Sequence, residues 1–191
     1  MRHIVILCTV AIALSIRAGD PSAQQTTRAP AVSPELFAAQ AKPGDSHARL
    51  AALVGSWTFT MRYEAGPRGK GEETGTLVVR PAMGGRFYIE EAKTRFFGQP
   101  FEWVGIHGYD TQSRQYVSSW IDNLSTQIDH MTGSWNEATR TLTYTGEEAH
   151  PVQGKATVEW AMTIESARLR IEMFQGAGAA RKRVMELEAR K

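Results

Sequence analysis

Between Trp57 and Arg190 the chain runs in short segments of alternating apolar and polar residues, and this two-residue period confines it to an all-β architecture. Trp57, Phe59, Met61 and Tyr63 alternate with Thr58, Thr60 and Arg62, the pattern of a half-buried strand with its aromatic face inward. Strand-like runs follow at 74–81, 85–97, 101–110, 115–122, 128–136, 141–148, 155–166, 168–175 and 181–190, which predicts ten strands. Turn residues separate them, among them Gly66-Pro67-Arg68-Gly69, Ala82-Met83-Gly84-Gly85, Gly98-Gln99-Pro100, Asp110-Thr111-Gln112-Ser113 and Gly176-Ala177-Gly178. Connections this short leave no room for crossover helices, so consecutive strands pair antiparallel as a meander. An open meander would carry two unpaired edges, and closure on itself removes both. The expectation is an up-and-down barrel, with a β-sandwich as the alternative.

The 191-residue chain divides into three parts. Arg2 and His3 precede the thirteen uncharged residues Ile4 to Ile16, and small or polar residues follow from Arg17 to Ala23. That is the layout of a secretory signal peptide at 1–23, cleaved after Ala23 or alternatively Ala18. A spanning helix wants about 20 apolar residues, so no membrane span is expected. The protein is thereby predicted to be exported, periplasmic or secreted. The sole cysteine, Cys8, lies in the apolar run, so the mature chain has no thiol for catalysis or metal binding. Residues 24–45, rich in Pro, Ala, Thr and Gln, read as a flexible linker. Ser46 offers an N-cap, and Leu50 and Leu53 share a face, predicting a short helix that ends near Gly55 and leads into a single domain at 46–191.

Charge excludes some partners. Lys and Arg number 22 against 20 Asp and Glu, interspersed along the chain, which argues against nucleic acid. His47, His107, His130 and His150 stand too far apart for local metal-ligand spacing. There is no G-x-S-x-G elbow for a nucleophilic serine. Gly66 to Gly71 has the glycines of a phosphate nest but not its strand-to-helix context, and reads as a hairpin tip. The pairs Glu72-Glu73, Glu90-Glu91 and Glu147-Glu148 point to opposite faces of their strands and read as solvated surface.

The middle strands carry the candidate site. Phe101, Trp103, His107 and Tyr109 share one face of one strand, and Tyr116, Ser118, Trp120 and Asp122 share one face of the next. Aromatic walls with a few hydrogen-bonding groups are the usual lining of a ligand pocket. Trp103, His107, Tyr109, Tyr116 and Trp120 are therefore the expected ligand-binding residues. The competing parity sends Val104 and Ile106 inward instead, and in that case the aromatics are not pocket walls.

Gly55-Ser56-Trp57, opening the first strand after a short helix, resembles the G-x-W signature of the lipocalin and fatty-acid-binding-protein superfamily. With Gly44-Asp45-Ser46-His47, Gly84-Gly85-Arg86-Phe87, Gly98-Gln99-Pro100-Phe101, Gly108-Tyr109-Asp110 and Ser119-Trp120-Ile121-Asp122, residues 44 to 191 are similar to an uncharacterised bacterial lipocalin-like family, domain of unknown function 1579. The resemblance implies a barrel in which an arginine near the chain end covers the G-x-W tryptophan. It makes Gly55, Trp57 and Arg190 the structural signature, although Ala189 stands where an aromatic is usual. Some relatives of this barrel bind haem through a histidine close to the C-terminus. No histidine follows His150, and no cofactor is expected.

The function expected from these readings is binding of a small apolar or amphipathic molecule inside the barrel. An enzyme, a hydrolase or isomerase using His107, His130, Asp122 and Tyr109 as acid-base groups, and a ligand-free envelope scaffold are the alternatives. The sequence carries no signal of oligomeric state.

Overall fold

The computed structural model describes residues 33–64, 69–150 and 154–191, with the backbone alone at 149–150. The signal-peptide segment, the Gly66-Pro67-Arg68 tip and the His150 side chain lie outside these. Ten antiparallel strands close into a barrel in the order β1-β10-β9-β8-β7-β6-β5-β4-β3-β2. They are β1 (Gly55–Glu64), β2 (Lys70–Ala82), β3 (Phe87–Phe96), β4 (Gln99–Asp110), β5 (Gln115–Asp122), β6 (Asp129–Asn136), β7 (Thr141–His150), β8 (Gly154–Ile164), β9 (Arg168–Gln175) and β10 (Lys182–Arg190). β1 pairs with both β2 and β10, so the sheet has no free edge and the sandwich alternative falls.

Most strand limits match the alternation, and the exception has a physical cause. β2 begins at Lys70 rather than Thr74 because its early inward positions are Gly71, Glu73 and Gly75, which show no apolar pattern. Those glycines are required by their partners. A Cβ on Gly71 would stand 2.3 Å from the Tyr63 ring, and one on Gly75 would stand 2.4 Å from Phe59. Each glycine sits directly opposite the aromatic residue that fills its space.

Helix α2 (Asp45–Leu50) continues as a 3-10 turn over Ala51–Leu53 and closes one end of the barrel. Leu50 and Leu53 are fully buried, Trp57 Nε1 donates to the Leu53 carbonyl at 2.8 Å, and the Tyr88 hydroxyl donates to the His47 carbonyl at 3.1 Å. The N-cap is Gly44 rather than Ser46, and its N–H donates to His47 Nδ1 at 3.1 Å. A second helix, α1 (Pro34–Gln40), lies in the stretch read as linker. It buries no residue, so tertiary patterning gave no sign of it, and Pro34 occupies the first helical position, where proline is tolerated.

The signature residues need one correction. Trp57 is buried, but Arg190 is exposed and opposite Thr58, because the alternation of β10 turns Ala189 inward against Phe59. Lys191 covers the indole instead, its Nζ 4.5 Å from the ring centroid and 3.4 Å from the Ala52 carbonyl that accepts from it. Gly55 has φ +139°, and a Cβ there would stand 3.0 Å from Lys191 Cε, so both backbone and space favour glycine.

Candidate functional site

The parity on β4 is settled by burial. Trp103 and His107 are buried and Phe101 is half-buried, whereas Ile106 is 42% exposed. On β5, Tyr116, Ser118 and Trp120 are likewise inward. The register brings the two faces together, with His107 opposite Ser118 and Trp103 opposite Asp122.

Of the five expected ligand-binding residues, three meet in one place. Trp103 and Trp120 stack with centroids 5.1 Å apart, and His107 lies in the same interior. Tyr109 and Tyr116 belong to the helix-closed end. Their rings pack edge-to-face at 5.0 Å, and Tyr109 also meets His47 at 5.7 Å. The Tyr116 hydroxyl is sealed from solvent beside the Arg49 guanidinium.

At the centre lies a polar chain the alternation alone did not reveal. Glu90 on β3 is only 2% exposed, and its two oxygens accept from different rings. Trp103 Nε1 donates to Oε1 at 2.6 Å, and His107 Nε2 stands 3.1 Å from Oε2. With Nε2 turned to the carboxylate, His107 Nδ1 faces the Tyr144 hydroxyl at 3.3 Å. Burial, reinforced by Glu90, pushes the Tyr144 phenol well above its ordinary range, so it serves as a hydrogen-bond donor. Both imidazole nitrogens are thus occupied.

This chain borders a cavity of about 10 Å³, lined also by Ser118, Trp120, Met131 and Trp160, which accommodates one water-sized molecule. Ser118 is 6% exposed, and its face of β5 borders this cavity.

Toward the opposite end from α2, aromatic rings form a continuous arc. Tyr63 touches Phe96 and Phe97 at 4.6 and 4.9 Å, Phe96 meets Phe101 at 5.7 Å, and Phe101 meets Trp103 at 5.2 Å. Beyond the Trp103–Trp120 stack, Trp120 meets Trp160 at 4.9 Å. At the tryptophan end of the arc are three carboxylates. Trp120 Nε1 donates to Asp122 Oδ2 at 3.1 Å, Trp160 Nε1 donates to Glu148 Oε1 at 2.9 Å, and the buried Asp129 sits opposite Trp120. Burial and then the charge of Asp129 push the Glu148 carboxyl up to about 7.

Glu90 and Glu148 correct the reading of the glutamate pairs as surface. One member of each pair is outside, Glu91 bonded to Arg80 and Glu147 to Lys155, and the other faces the interior. The signal that locates them is parity, since Glu90 shares a face with Tyr88 and Ala92, and Glu148 with Leu142 and Tyr144. The other acid-base candidates are not assembled. His130 is exposed and bonded to Ser119 Oγ, Tyr109 is at the closed end, and Asp122 is at the rim. No group of three metal-ligating side chains is present among the described residues, nor a helix long and apolar enough to cross a membrane.

No curated protein matches the sequence. Among solved structures, the crystal structure of Rv2717c from M. tuberculosis is similar, with a TM-score of 0.58 and 13% identity over 78% of this chain and 99% of that one. Identity this low carries the fold alone. A family model described as protein of unknown function (DUF1579) matches residues 42–191, a span that takes in α2 and every strand of the barrel. The chain belongs to the DUF1579 family.

Proposed function

We propose that this protein is exported and binds a small amphipathic molecule at the open end of the barrel, between the aromatic arc and the polar chain centred on Glu90. The observation that carries the reading is the interior cavity lined by Glu90, His107, Ser118 and two indoles, polar groups set among aromatic walls. Apolar walls with a few convergent polar groups are the usual lining of a ligand site, and a water held there is one that a ligand displaces. The cavity is small, so the ligand replaces side-chain contacts rather than filling a void. Five methionines face that interior, Met61, Met131 and Met162 buried and Met173 and Met185 partly so, and such unbranched side chains repack readily. Binding is favoured over catalysis because both His107 nitrogens are engaged and Tyr144 holds its proton.

Titration of delipidated protein with fatty acids, retinoids, phenolics and porphyrins, followed by tryptophan emission, tests this reading. At least one class gives a saturable change that weakens in Trp120→Phe. No response from any class, together with no co-purified small molecule in native mass spectrometry, would remove the pocket. For export, N-terminal sequencing of periplasmic or secreted protein finds a start between Gly19 and Thr26, and an intact Met1 there would refute it.

A further inference from the structure

The outer surface of the barrel is uneven in polarity. β1 presents Thr58, Thr60 and Arg62 outward, and β9 and β10 present a charged ladder in which Arg168 bonds Glu188 at 3.1 Å and Arg170 bonds Glu186 at 2.7 Å. Around β3, β4 and β5 most outward positions are apolar instead. The register sets them in three rows. Phe87 stands opposite Gly108 and Gly108 opposite Val117, Ile89 opposite Ile106 and Ile106 opposite Ser119, and Glu91 opposite Val104 and Val104 opposite Ile121. Phe87 and Ile121 are 41% and 46% exposed, like Ile106 between them. Of the nine large apolar side chains exposed among the described residues, seven lie on β2 to β5 or in the turns joining β2 to β3 and β5 to β6.

Size, order and charge all suit this face to burial against its own copy. Outward positions repeat about every 6.8 Å along a strand and about every 4.8 Å across strands, so three rows on three strands span roughly 300 Å², and a border one residue wide brings the area to roughly 800 Å². The first is the size at which an exposed apolar patch marks an interaction site, and the second is what each partner buries in a stable interface with an apolar centre and a polar rim. A Cβ on Gly108 would stand 2.8 Å from the Phe87 ring, so the phenyl lies against the glycine backbone and is held there before any partner arrives. A side chain already fixed gives up little entropy on being covered. The polar groups in and beside the patch are paired within the chain. Arg80 bonds Glu91 at 2.9 Å, Lys93 bonds Glu102 at 3.5 Å, and Ser119 Oγ meets His130 Nδ1 at 3.0 Å. Covering them orphans none of these groups, and the two ion pairs cancel in charge. A neutral margin neither draws the face to an anionic lipid surface nor repels an identical one. Strand addition is closed to the molecule, because β1 and β10 pair with each other and leave no edge to extend.

We infer that the outer face of β3, β4 and β5 is a two-fold interface between two copies of this chain, with Ile106 at its centre and the Arg80–Glu91 and Lys93–Glu102 pairs in its rim. Two-fold symmetry brings the same patch of both copies together, so each Ile106 meets the β4 face of the other copy. Sheets packed face to face hold their strands roughly 30° from parallel and about 10 Å apart, which lets the aliphatic side chains of the two faces interdigitate. The pocket proposed above opens at the end of the barrel, so pairing through the wall leaves it unobstructed.

Sedimentation velocity of the purified protein over about 0.5 to 100 µM tests the interface, alongside Ile106→Asp, Ile121→Asp and, on the polar outer face of β7, Thr145→Asp. Wild type and Thr145→Asp sediment as dimers with a Kd of about 1 µM or tighter, and Ile106→Asp raises that Kd at least about a hundredfold by setting two like charges into an apolar contact. Thermal unfolding checks that each variant folds, and Ile121→Asp decides the matter where Ile106→Asp does not. Wild type that stays monomeric at about 100 µM would overturn the interface. Monomer that floats with phosphatidylcholine vesicles, and no longer does so in Ile106→Asp, would assign the face to lipid and overturn it equally. Dimers that persist in both aspartate variants would put the contact elsewhere on the barrel and refute the assignment.

Discussion

Glu90 and Trp103 face each other from adjacent strands inside the barrel, the indole N–H donating to the carboxylate at 2.6 Å while the other carboxylate oxygen meets His107. One buried side chain therefore satisfies two rings. Removing it in Glu90→Ala leaves both ring nitrogens without their acceptor in the barrel interior, at about 1–3 kcal/mol for each orphaned group. Urea unfolding at neutral pH is expected to show a loss of about 3 kcal/mol or more, with Glu90→Gln, which keeps one acceptor oxygen, losing less.

Glu148 gives a pH signature of definite sign. Its carboxyl is raised by burial to about 7 in the folded protein, so the native state holds this proton more tightly than the unfolded chain does. The resulting stability is complete below the ordinary carboxylate range and is lost as pH rises through about 7. The inward carboxylates nearest it, Asp129 on β6 and Asp122 on β5, add charge of the same sign. Salt-bridged surface acids such as Glu64 and Glu188, held below their usual values by Lys70 and Arg168, act in the opposite sense at lower pH, so the useful quantity is a difference. Glu148→Gln is expected to gain relative to wild type between pH 5 and 8, by up to about 2–3 kcal/mol. A flat difference across that range would show that Glu148 does not titrate there.

The end of the chain supplies a paired comparison. Trp57→Ala removes a fully buried indole and is expected to cost about 3–5 kcal/mol. Lys191→Ala, which uncovers that ring, lowers the melting temperature by a few degrees, and Arg190→Ala leaves it within error of wild type. Thermal unfolding of the three variants side by side checks the order.

Gly75→Ala tests the glycine seats on β2. The added methyl would stand 2.4 Å from the Phe59 ring and 2.6 Å from the Lys93 carbonyl, so the side chain or the sheet must shift. A loss of about 1–3 kcal/mol in chemical unfolding is expected. Gly105→Ala, whose methyl meets its nearest neighbours at 3.4 Å, loses less.

Phe97→Asn weighs backbone strain against ring packing. Asparagine relieves the left-handed backbone strain, which offsets the lost contacts with Tyr63 and Phe96. The unfolding free energy stays within about 1 kcal/mol of wild type. Urea unfolding of the variant and wild type side by side checks the balance.

The barrel was legible because each strand exposes one face and the turns are short; alternation alone located β5 to the residue, and β4 to the residue at its end and within two at its start. It failed where inward positions are not apolar. Gly71 and Gly75 hid the start of β2, and Glu90 and Glu148 read as surface because charge ordinarily lies there. Parity within β3 and β7 holds the missing information, but it becomes decisive only once Trp103 and Trp160 are known to supply the hydrogen bonds. Arg190 and Lys191 differ by a single step of register, which the family pattern does not fix when Ala189 replaces the usual aromatic.

The seam between β1 and β10 sets the timing of folding. Thr58 and Arg190 are neighbours across a ladder yet lie 132 positions apart in sequence. The nine other strand pairings, from β1–β2 to β9–β10, join sequence neighbours and can form as hairpins while the chain lengthens. Closure cannot, because it waits for the last strand and bears the whole entropy of a long loop. Until then both margins of the meander are open to association with other chains, and the interval before the seam zips is when the molecule most needs protection from its own copies.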